Sequence, residues 1–299
     1  MSSPVPRPLA LPLALGLRPR RPTAILDAAF DLVRFRFLTV ATLALVVQLP
    51  LVVLPTVVST ADVLAQRDAL VEDALDGSVI AGNFGFGSTS AWAWVAVVGQ
   101  SIAVALMGVG VTHLLSSWTL GHDPRLGETL GLVARRAPVV LAAWVIALPI
   151  KVLGALPCGA GVLFTITWLF VVSPAIGAER VGPWTAIKRS FQLTKRRFGP
   201  VLGLVAMTAV VTVVIQLTVN AIVAWITIAS AGVGEDPAAW ALWVSAAATM
   251  LLGLATTTLH ASWSALTYVD LRVRNEGMDL LVEAPVRLAV PTPVGERLR

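Results

Sequence analysis

Two histidines, His113 and His260, are the side chains in this sequence best suited to proton transfer. Imidazole titrates near neutral pH, so two rings at one depth of a helical bundle could relay a proton or bind a ligand. Each ring lies about five to eight residues from one end of a long apolar stretch, which is compatible with a shared depth. The alternative is a hydrogen bond to a neighbouring helix, or a ring near a membrane surface.

Two amides, Gln216 and Asn220, lie one helical turn apart in another apolar stretch. Polar side chains in apolar helices bond to neighbouring helices, so we expect interhelical hydrogen bonds here and at Gln100. The alternative is a polar cavity that the amides line together with the two histidines.

Motifs for metal binding, phosphate binding or covalent catalysis are absent from the sequence. It has no HExxH, Walker loop or nucleophile elbow. The single cysteine, Cys158, excludes a cysteine cluster, and two histidines without a carboxylate motif do not define a zinc site. We therefore expect no metal, no cofactor and no enzymatic activity.

Two carboxylates, Glu179 and Asp270, follow long apolar stretches and stand beside arginines such as Arg180 and Arg272. The sequence predicts salt bridges there that hold surface helices against the bundle. The alternative is a carboxylate that coordinates a lipid headgroup or a cation.

The densest basic segment is AIKRSFQLTKRRFGPVL, residues 186–202, and its residues 187–198 align without gaps with segments 26–37 and 126–137. In all three, the positions i, i+3, i+4 and i+7 share one helical face, which carries no charged residue, and the basic residues take the other, the pattern of an amphipathic helix. We expect the basic residues to face anionic lipid headgroups: Arg36, Arg136, Lys188, Arg189, Lys195, Arg196 and Arg197. Nucleic acid is not an expected partner, since DNA binding needs a basic face free of the membrane.

The elements that position these residues follow from composition. The chain has 299 residues, of which 57% are hydrophobic and 13% charged, whereas a soluble domain has about 25% charged residues. Apolar runs of about 20 residues suit membrane helices. We predict an all-α, polytopic membrane helical bundle with six transmembrane helices at about 37–58, 92–118, 138–156, 161–177, 200–229 and 238–267.

Each basic segment precedes a pair of spans, which predicts three repeats (about 23–120, 121–178 and 179–277) of an amphipathic interfacial helix plus a transmembrane hairpin. Pro138 and Pro200 are expected where the chain turns from the interface into the bilayer. Residues 1–22 are predicted to be a Pro-rich lead-in, and residues 278–299 a disordered tail.

The distribution of charge predicts the orientation. With both termini cytoplasmic, the outer side receives loop 60–91 and two short loops, and of 22 Lys and Arg only Arg67 and Lys151 fall on or near it. This arrangement obeys the positive-inside rule. We therefore expect a multi-pass plasma-membrane protein with cytoplasmic N- and C-termini.

Three stretches together resemble a known family: LRPRRPTAILDAAFDLVRFRF, VVSPAIGAERVGPWTAIKRSFQLTKRRFGPVLG and TYVDLRVRNEGMDL. They are similar to bacterial, especially actinobacterial, membrane proteins of the glycerophosphoryl diester phosphodiesterase membrane-domain-like and YciC-type group. Longer members carry a catalytic barrel after the membrane part. Here the predicted tail of about 22 residues follows the membrane domain, so the resemblance implies a membrane module without that enzyme.

These observations favour a non-enzymatic integral protein of the bacterial plasma membrane. We expect an accessory or scaffold role in a membrane or lipid-related process, with membrane lipids and a membrane protein as partners. The alternative is a transporter or lipid-handling protein with a path inside the bundle, lined by His113, His260, Gln216 and Asn220. A membrane enzyme is the third hypothesis.

Overall fold

The computed structural model describes residues 21–65, 91–119, 121–155, 160–231 and 239–277. The predicted lead-in lies outside this part except for its last two residues. Most of the predicted outer loop, Cys158 and the predicted tail also lie outside it.

The described residues form ten α-helices and one π-helical turn. In chain order they are α1 (Pro22–Phe35), α2 (Phe37–Gln48), the π turn (Leu49–Val53), α3 (Leu54–Ala65), α4 (Ala91–Thr119), α5 (Leu126–Ala155), α6 (Ala160–Leu169), α7 (Val172–Glu179), α8 (Pro183–Lys195), α9 (Phe198–Ala231) and α10 (Ala239–Glu276).

Six segments are long and apolar enough to cross a membrane, which confirms the predicted all-α, six-span helical bundle. Spans one to six are Phe37–Ala61, Trp94–Thr119, Leu126–Gly154, Gly161–Glu179, Phe198–Ser230 and Trp240–Glu276. The chain is therefore an integral, multi-pass membrane protein.

Span two, formed by α4, is the centre of the bundle. Half of its most apolar window is buried, compared with 17% in span three, and it packs against spans one, three, four and six. Glycine permits the closest of these approaches. A Cβ atom on Gly177 of α7 would lie 2.8 Å from the backbone oxygen of Val109, so only glycine lets α7 lie this close to α4.

Span one contains a π turn that the sequence did not predict. Pro50 lacks a backbone N–H and so breaks the regular α-helical hydrogen-bond pattern. The turn brings the carbonyl of Leu51 against α4, where a Cβ atom on Gly99 would lie 1.9 Å from its oxygen. The π turn therefore depends on a glycine in the neighbouring helix.

The second basic segment differs from the prediction. Residues 126–137 do not form a separate interfacial helix but the first turns of α5, which continues through Pro138. A membrane helix tolerates an internal proline when neighbouring groups satisfy the freed carbonyl. Val133 and Val140, on either side of Pro138, are buried in the core, so packing favours a continuous helix over a break.

Spans four and six also differ from the predicted single segments. Span four divides at Phe170 and Val171 into α6 and α7, because Pro174 cannot donate its backbone N–H to the carbonyl of residue 170. Span six continues to Glu276, nine residues past the predicted end at residue 267. Helix α10, which contains span six, has 38 residues and is about 57 Å long, longer than a hydrocarbon core of about 30 Å.

The first and third basic segments form separate amphipathic helices, α1 and α8. Each has a proline in its first turn, Pro22 and Pro183, where a missing N–H costs nothing. Arg36 ends α1 in a non-helical conformation, and a turn at Arg196 and Arg197 separates α8 from α9. Pro200 lies in the first turn of α9, just after the bend, as predicted. We call the end of the bundle that carries α1, α8 and the start of α5 the basic end.

Candidate functional site

Glu179, the last residue of α7, is the centre of a side-chain network at the basic end. Its two carboxylate oxygens accept hydrogen bonds from Nε of Arg189 on α8, at 2.9 and 3.2 Å. The hydroxyl of Tyr268 on α10 donates a third hydrogen bond, at 2.8 Å. One carboxylate therefore joins α7, α8 and α10.

The network continues toward the end of α10. Arg189 also pairs with Glu276, and Nε of Arg272 donates to the same carboxylate at 2.9 Å. The guanidinium of Arg272 lies over the ring of Tyr268, 5.8 Å from its centroid. Two arginines thus balance two glutamates, and their side chains are only 20–26% exposed.

Arg189 keeps its charge in this setting. Partial burial lowers the pKa of its guanidinium, but the hydrogen bond and charge of Glu179, followed by those of Glu276, outweigh that effect and raise the pKa above its usual value. Removal of either glutamate would leave a half-buried positive charge, which is the costly way to break an ion pair.

Two further hydrogen bonds hold α8 in place. Ser190 donates to the carbonyl of Trp168 in span four at 2.6 Å, and Asn275 of α10 donates to the carbonyl of Leu193 at 3.0 Å. The face of α8 toward the bundle is buried and consists of Ala186, Ser190, Leu193 and Thr194. This face packs against other helices of the bundle.

The opposite face of α8 is exposed and combines aromatic with basic side chains. Trp184, Lys188, Phe191 and Lys195 follow one another at i, i+4, i+7 and i+11, within about 60° of the helix circumference. Nζ of Lys188 lies 5.5 Å from the ring centroid of Trp184. We call these four residues the α8 stripe.

The α8 stripe adjoins aromatic side chains on the membrane spans. The ring centroids of Phe191 and Trp168 are 5.2 Å apart, and Trp168 also contacts Phe198 at the start of α9, at 5.8 Å. Phe164 of α6 stacks on Phe198. Aromatic side chains of this kind favour the boundary between headgroups and acyl chains.

Helix α8 and the turn after it carry five Lys and Arg and no carboxylate between residues 183 and 198. Lys188, Lys195, Arg196 and Arg197 are exposed, whereas Arg189 belongs to the buried network. The predicted basic residues of α8 and the following turn therefore differ in role: Arg189 joins helices through ion pairs, and the other four are exposed. Arg136 on α5 is half-buried.

Arg36, the predicted headgroup contact after α1, is part of a smaller cluster. Its guanidinium pairs with Asp123 at 2.6 Å, and Nε1 of Trp118 donates to the same carboxylate at 3.1 Å. The rings of Phe35 and Trp118 meet edge to face, with centroids 5.6 Å apart. Asp123 was not predicted, although it is an acidic residue in a short loop beside basic segments.

The rim carboxylate Asp270 lies on α10, where Arg274 donates to it across one helical turn at 2.8 Å. Arg180, which follows Glu179, has the left-handed backbone conformation (φ 53°) that glycine usually supplies at a helix end. This conformation turns the chain from span four into α8.

The two histidines have different neighbours. Nδ1 of His260 bonds to the carbonyl of Thr256 at 2.9 Å, and its ring meets Trp263 edge to face. The charged groups near His113 are Arg180 and Glu128. No hydrogen bond or ring contact between the two histidines occurs in the described residues.

The interhelical hydrogen bonds predicted for the two amides of span five do not form among the described residues. Gln216 is half-buried and Asn220 is exposed, and neither side chain hydrogen-bonds to another described residue. Thr212, one turn before Gln216, lies 3.5 Å from Nε2 of His260. Of the four residues predicted to line a path, His113, Gln216 and His260 are half-buried, whereas Asn220 is exposed on the surface.

A third polar cluster lies between spans one, two and six. Nε2 of Gln100 donates to Thr257 at 2.5 Å, which is the interhelical bond predicted for Gln100. Gln48, only 1% exposed, approaches the same place beside Gly253. Nε2 of Gln48 and Oε1 of Gln100 have no hydrogen-bond partner among the described residues. Gln48 was missed because a single amide in an apolar run gives no spacing signal.

No group of three or more His, Cys, Asp and Glu side chains suited to a metal ion occurs among the described residues. Comparisons of the chain with protein-family models, with curated proteins and with solved structures gave no match. The fold and the site thus define a class, a six-span helical membrane protein with a basic end. The family resemblance of the three stretches stays a prediction.

Proposed function

We propose that the chain is a non-enzymatic integral protein of the bacterial plasma membrane, an accessory or scaffold module whose basic end binds the anionic headgroups of the cytoplasmic leaflet. The main support for this proposal is the difference between the two faces of α8. The ion-pair network holds one face of α8 against the bundle, and the opposite face presents the α8 stripe outward.

The composition of the stripe supports a lipid surface as its partner. Lys188 and Lys195 supply charge that attracts anionic lipids, about 1 kcal/mol for each residue near the surface. Trp184 and Phe191 supply apolar area suited to the boundary. Interspersed aromatic and basic residues without any acid favour an anionic, partly apolar surface over a purely polar one.

The carboxylates of the network support a structural role over catalysis. Glu179 accepts three hydrogen bonds from two side chains, and Glu276 pairs with two arginines. A general acid or base must reach the proton that it transfers. Both carboxylates already serve to hold helices together. Membership of the family that the three stretches resemble is part of the same proposal.

Site-directed photo-crosslinking tests this function. A benzophenone amino acid replaces Phe191 in the α8 stripe or, as a control, Val145, which is 61% exposed on span three. In nanodiscs of phosphatidylcholine, added phosphatidylglycerol should increase lipid adducts at position 191 and leave those at position 145 unchanged. Equal behaviour at both positions would contradict headgroup binding by the stripe.

The scaffold role needs a second readout. The benzophenone at Trp184, in native membranes, should yield lipid adducts together with one defined protein adduct that the control at position 145 does not form. Capture of neither a lipid nor a protein from position 184 would overturn the proposal as a whole.

A further inference from the structure

A cavity of about 180 Å³ lies at the basic end between α1, α9 and α10. Its charged lining consists of Arg21, Arg197, Arg274 and Asp270. A water molecule occupies about 30 Å³ of liquid volume, so the cavity has room for a larger polar group. The residues that line it differ from the α8 stripe.

Among the described residues of the lining, positive charges exceed negative charges by two. Asp270 and Arg274 pair with each other at 2.8 Å, and Arg21 and Arg197 add two further positive charges to the lining. Both of these arginines are exposed, and neither forms an ion pair with a described residue. Two guanidinium groups that line one cavity suit a phosphate, which accepts several charge-assisted hydrogen bonds.

The rest of the lining is apolar. Ile25, Leu204 and Leu271 are at most 4% exposed and border the cavity together with Val201 and Pro200. Leu204 and Val201 belong to span five, a helix long and apolar enough to cross a membrane. A ligand that fits has a charged phosphate beside the arginines and a hydrocarbon part beside the start of span five.

We propose that this cavity is a specific site for one anionic phospholipid, with its phosphate at Arg21 and Arg197 and the start of its acyl chain along Val201 and Leu204. The carboxylate of Asp270 favours a phosphodiester with one negative charge over a phosphomonoester with two. The site rests on the membrane-facing position of the basic end that the proposed function assumes, but it uses other residues.

Native mass spectrometry of the full-length protein tests the site. After purification with phosphatidylglycerol and phosphatidylcholine, the wild type should retain one phosphatidylglycerol in preference to phosphatidylcholine. Arg21→Glu and Arg197→Gln should each reduce retention by about tenfold, the usual size of a lost charge-assisted hydrogen bond. Arg196→Gln, the adjacent exposed arginine outside the cavity, should retain the lipid as the wild type does.

The melting temperature of Arg21→Glu distinguishes loss of the lipid site from a folding defect. Arg21 precedes α1, and its side chain forms no capping hydrogen bond, so an acidic residue there suits the helix N-terminus. Arg21→Glu should therefore melt no earlier than the wild type and still lose the lipid. Wild-type retention in Arg21→Glu, or equal loss in Arg196→Gln, would overturn the site.

Two further experiments are needed. The first distinguishes a phospholipid from free phosphate as the ligand, and the second distinguishes the cavity site from headgroup binding by the α8 stripe. A large excess of inorganic phosphate should not displace the lipid, because phosphate lacks the acyl chain, and displacement would overturn the lipid assignment. The double variant Lys188→Gln/Lys195→Gln should retain the cavity lipid even if it loses headgroup-dependent crosslinking at position 191. Failure of that crosslinking with the lipid retained would count against the proposed function alone.

Discussion

At the residue scale, Glu179 has the largest structural consequence because its carboxylate bonds to side chains of two other helices. The surrounding charges balance in pairs, and all are partly shielded from solvent. An isolated surface ion pair contributes little to stability, whereas the loss of one partner from a shielded group leaves a charge without compensation.

Glu179→Gln should therefore lower the free energy of unfolding by about 2 kcal/mol, because Arg189 loses a charged acceptor in a half-buried position. Chemical unfolding in detergent micelles measures this effect. Asp27→Asn, at an exposed acidic residue on α1, provides the control and should change stability by less than about 0.5 kcal/mol. If the two substitutions lowered the free energy of unfolding equally, the network would contribute no more to stability than an exposed surface charge.

Gly99→Ala tests the contact of the π turn. A Cβ atom at residue 99 would lie 1.9 Å from the oxygen of Leu51, so the backbones must separate, with a cost of about 2 kcal/mol or more. Gly203→Ala is the matched control, since a Cβ atom there meets nothing within 4 Å and alanine has the higher helix propensity. Thermal melting should place the first variant below the wild type and the second at or above it.

At the element scale, α8 depends on the turn that precedes it. Arg180 has a left-handed backbone, which costs an L-residue about 1 kcal/mol. The turn directs the chain from span four so that Arg189 can reach Glu179. Backbone geometry and the ion-pair network therefore act on the same helix.

Replacement of Arg180 by glycine should raise stability by about 0.5–1 kcal/mol, because glycine adopts positive φ without strain. Arg196→Gly should have the opposite effect, since residue 196 has right-handed helical geometry (φ −72°, ψ −20°). Unfolding of both variants in the same detergent gives the comparison. A destabilised Arg180→Gly would show that the arginine side chain contributes more than its backbone costs.

The same elements show how far the sequence could predict the structure. The helical pattern and the prolines located α1 and α8 correctly, because local periodicity and N-terminal proline determine such helices. The continuous α5 was missed because buried packing around Pro138 outweighed its local preference for a break.

For the site, Glu179 and the basic residues of α8 were identifiable from their position after an apolar run. Tyr268 and Glu276 were not, because they join the network only through the packing of α10 against α7 and α8. The same reason applies to Gln48, whose approach to Gln100 depends on contact between distant spans. Local sequence patterns do not predict which residues of two helices come into contact when the helices are far apart in sequence.

At the scale of the whole molecule, the buried part of the chain is concentrated at the basic end, where α1, α7, α8 and the second half of α10 meet. Span six is longer than a bilayer requires, so it either tilts or extends beyond the membrane. With α1 and α8 packed around it, the basic end forms a compact cap on the six-span bundle.

The positive-inside rule predicts that this cap faces the cytoplasm, and cysteine labelling tests that prediction. In a Cys158→Ser background, Thr185→Cys at the basic end should react with a membrane-impermeant maleimide only after the cells are permeabilised. Trp92→Cys, exposed at the other end of span two, should react in intact cells. The reverse pattern would place the basic end outside the cell.

The depth of the α8 stripe in an anionic bilayer tests the central claim most directly. A spin label at residue 191, studied by power saturation in vesicles of phosphatidylcholine and phosphatidylglycerol, reports its access to oxygen and to a water-soluble relaxation agent. A stripe bound at the headgroup boundary should give intermediate access to both. Full access to the aqueous agent, with little to oxygen, would place α8 away from the membrane and contradict the account.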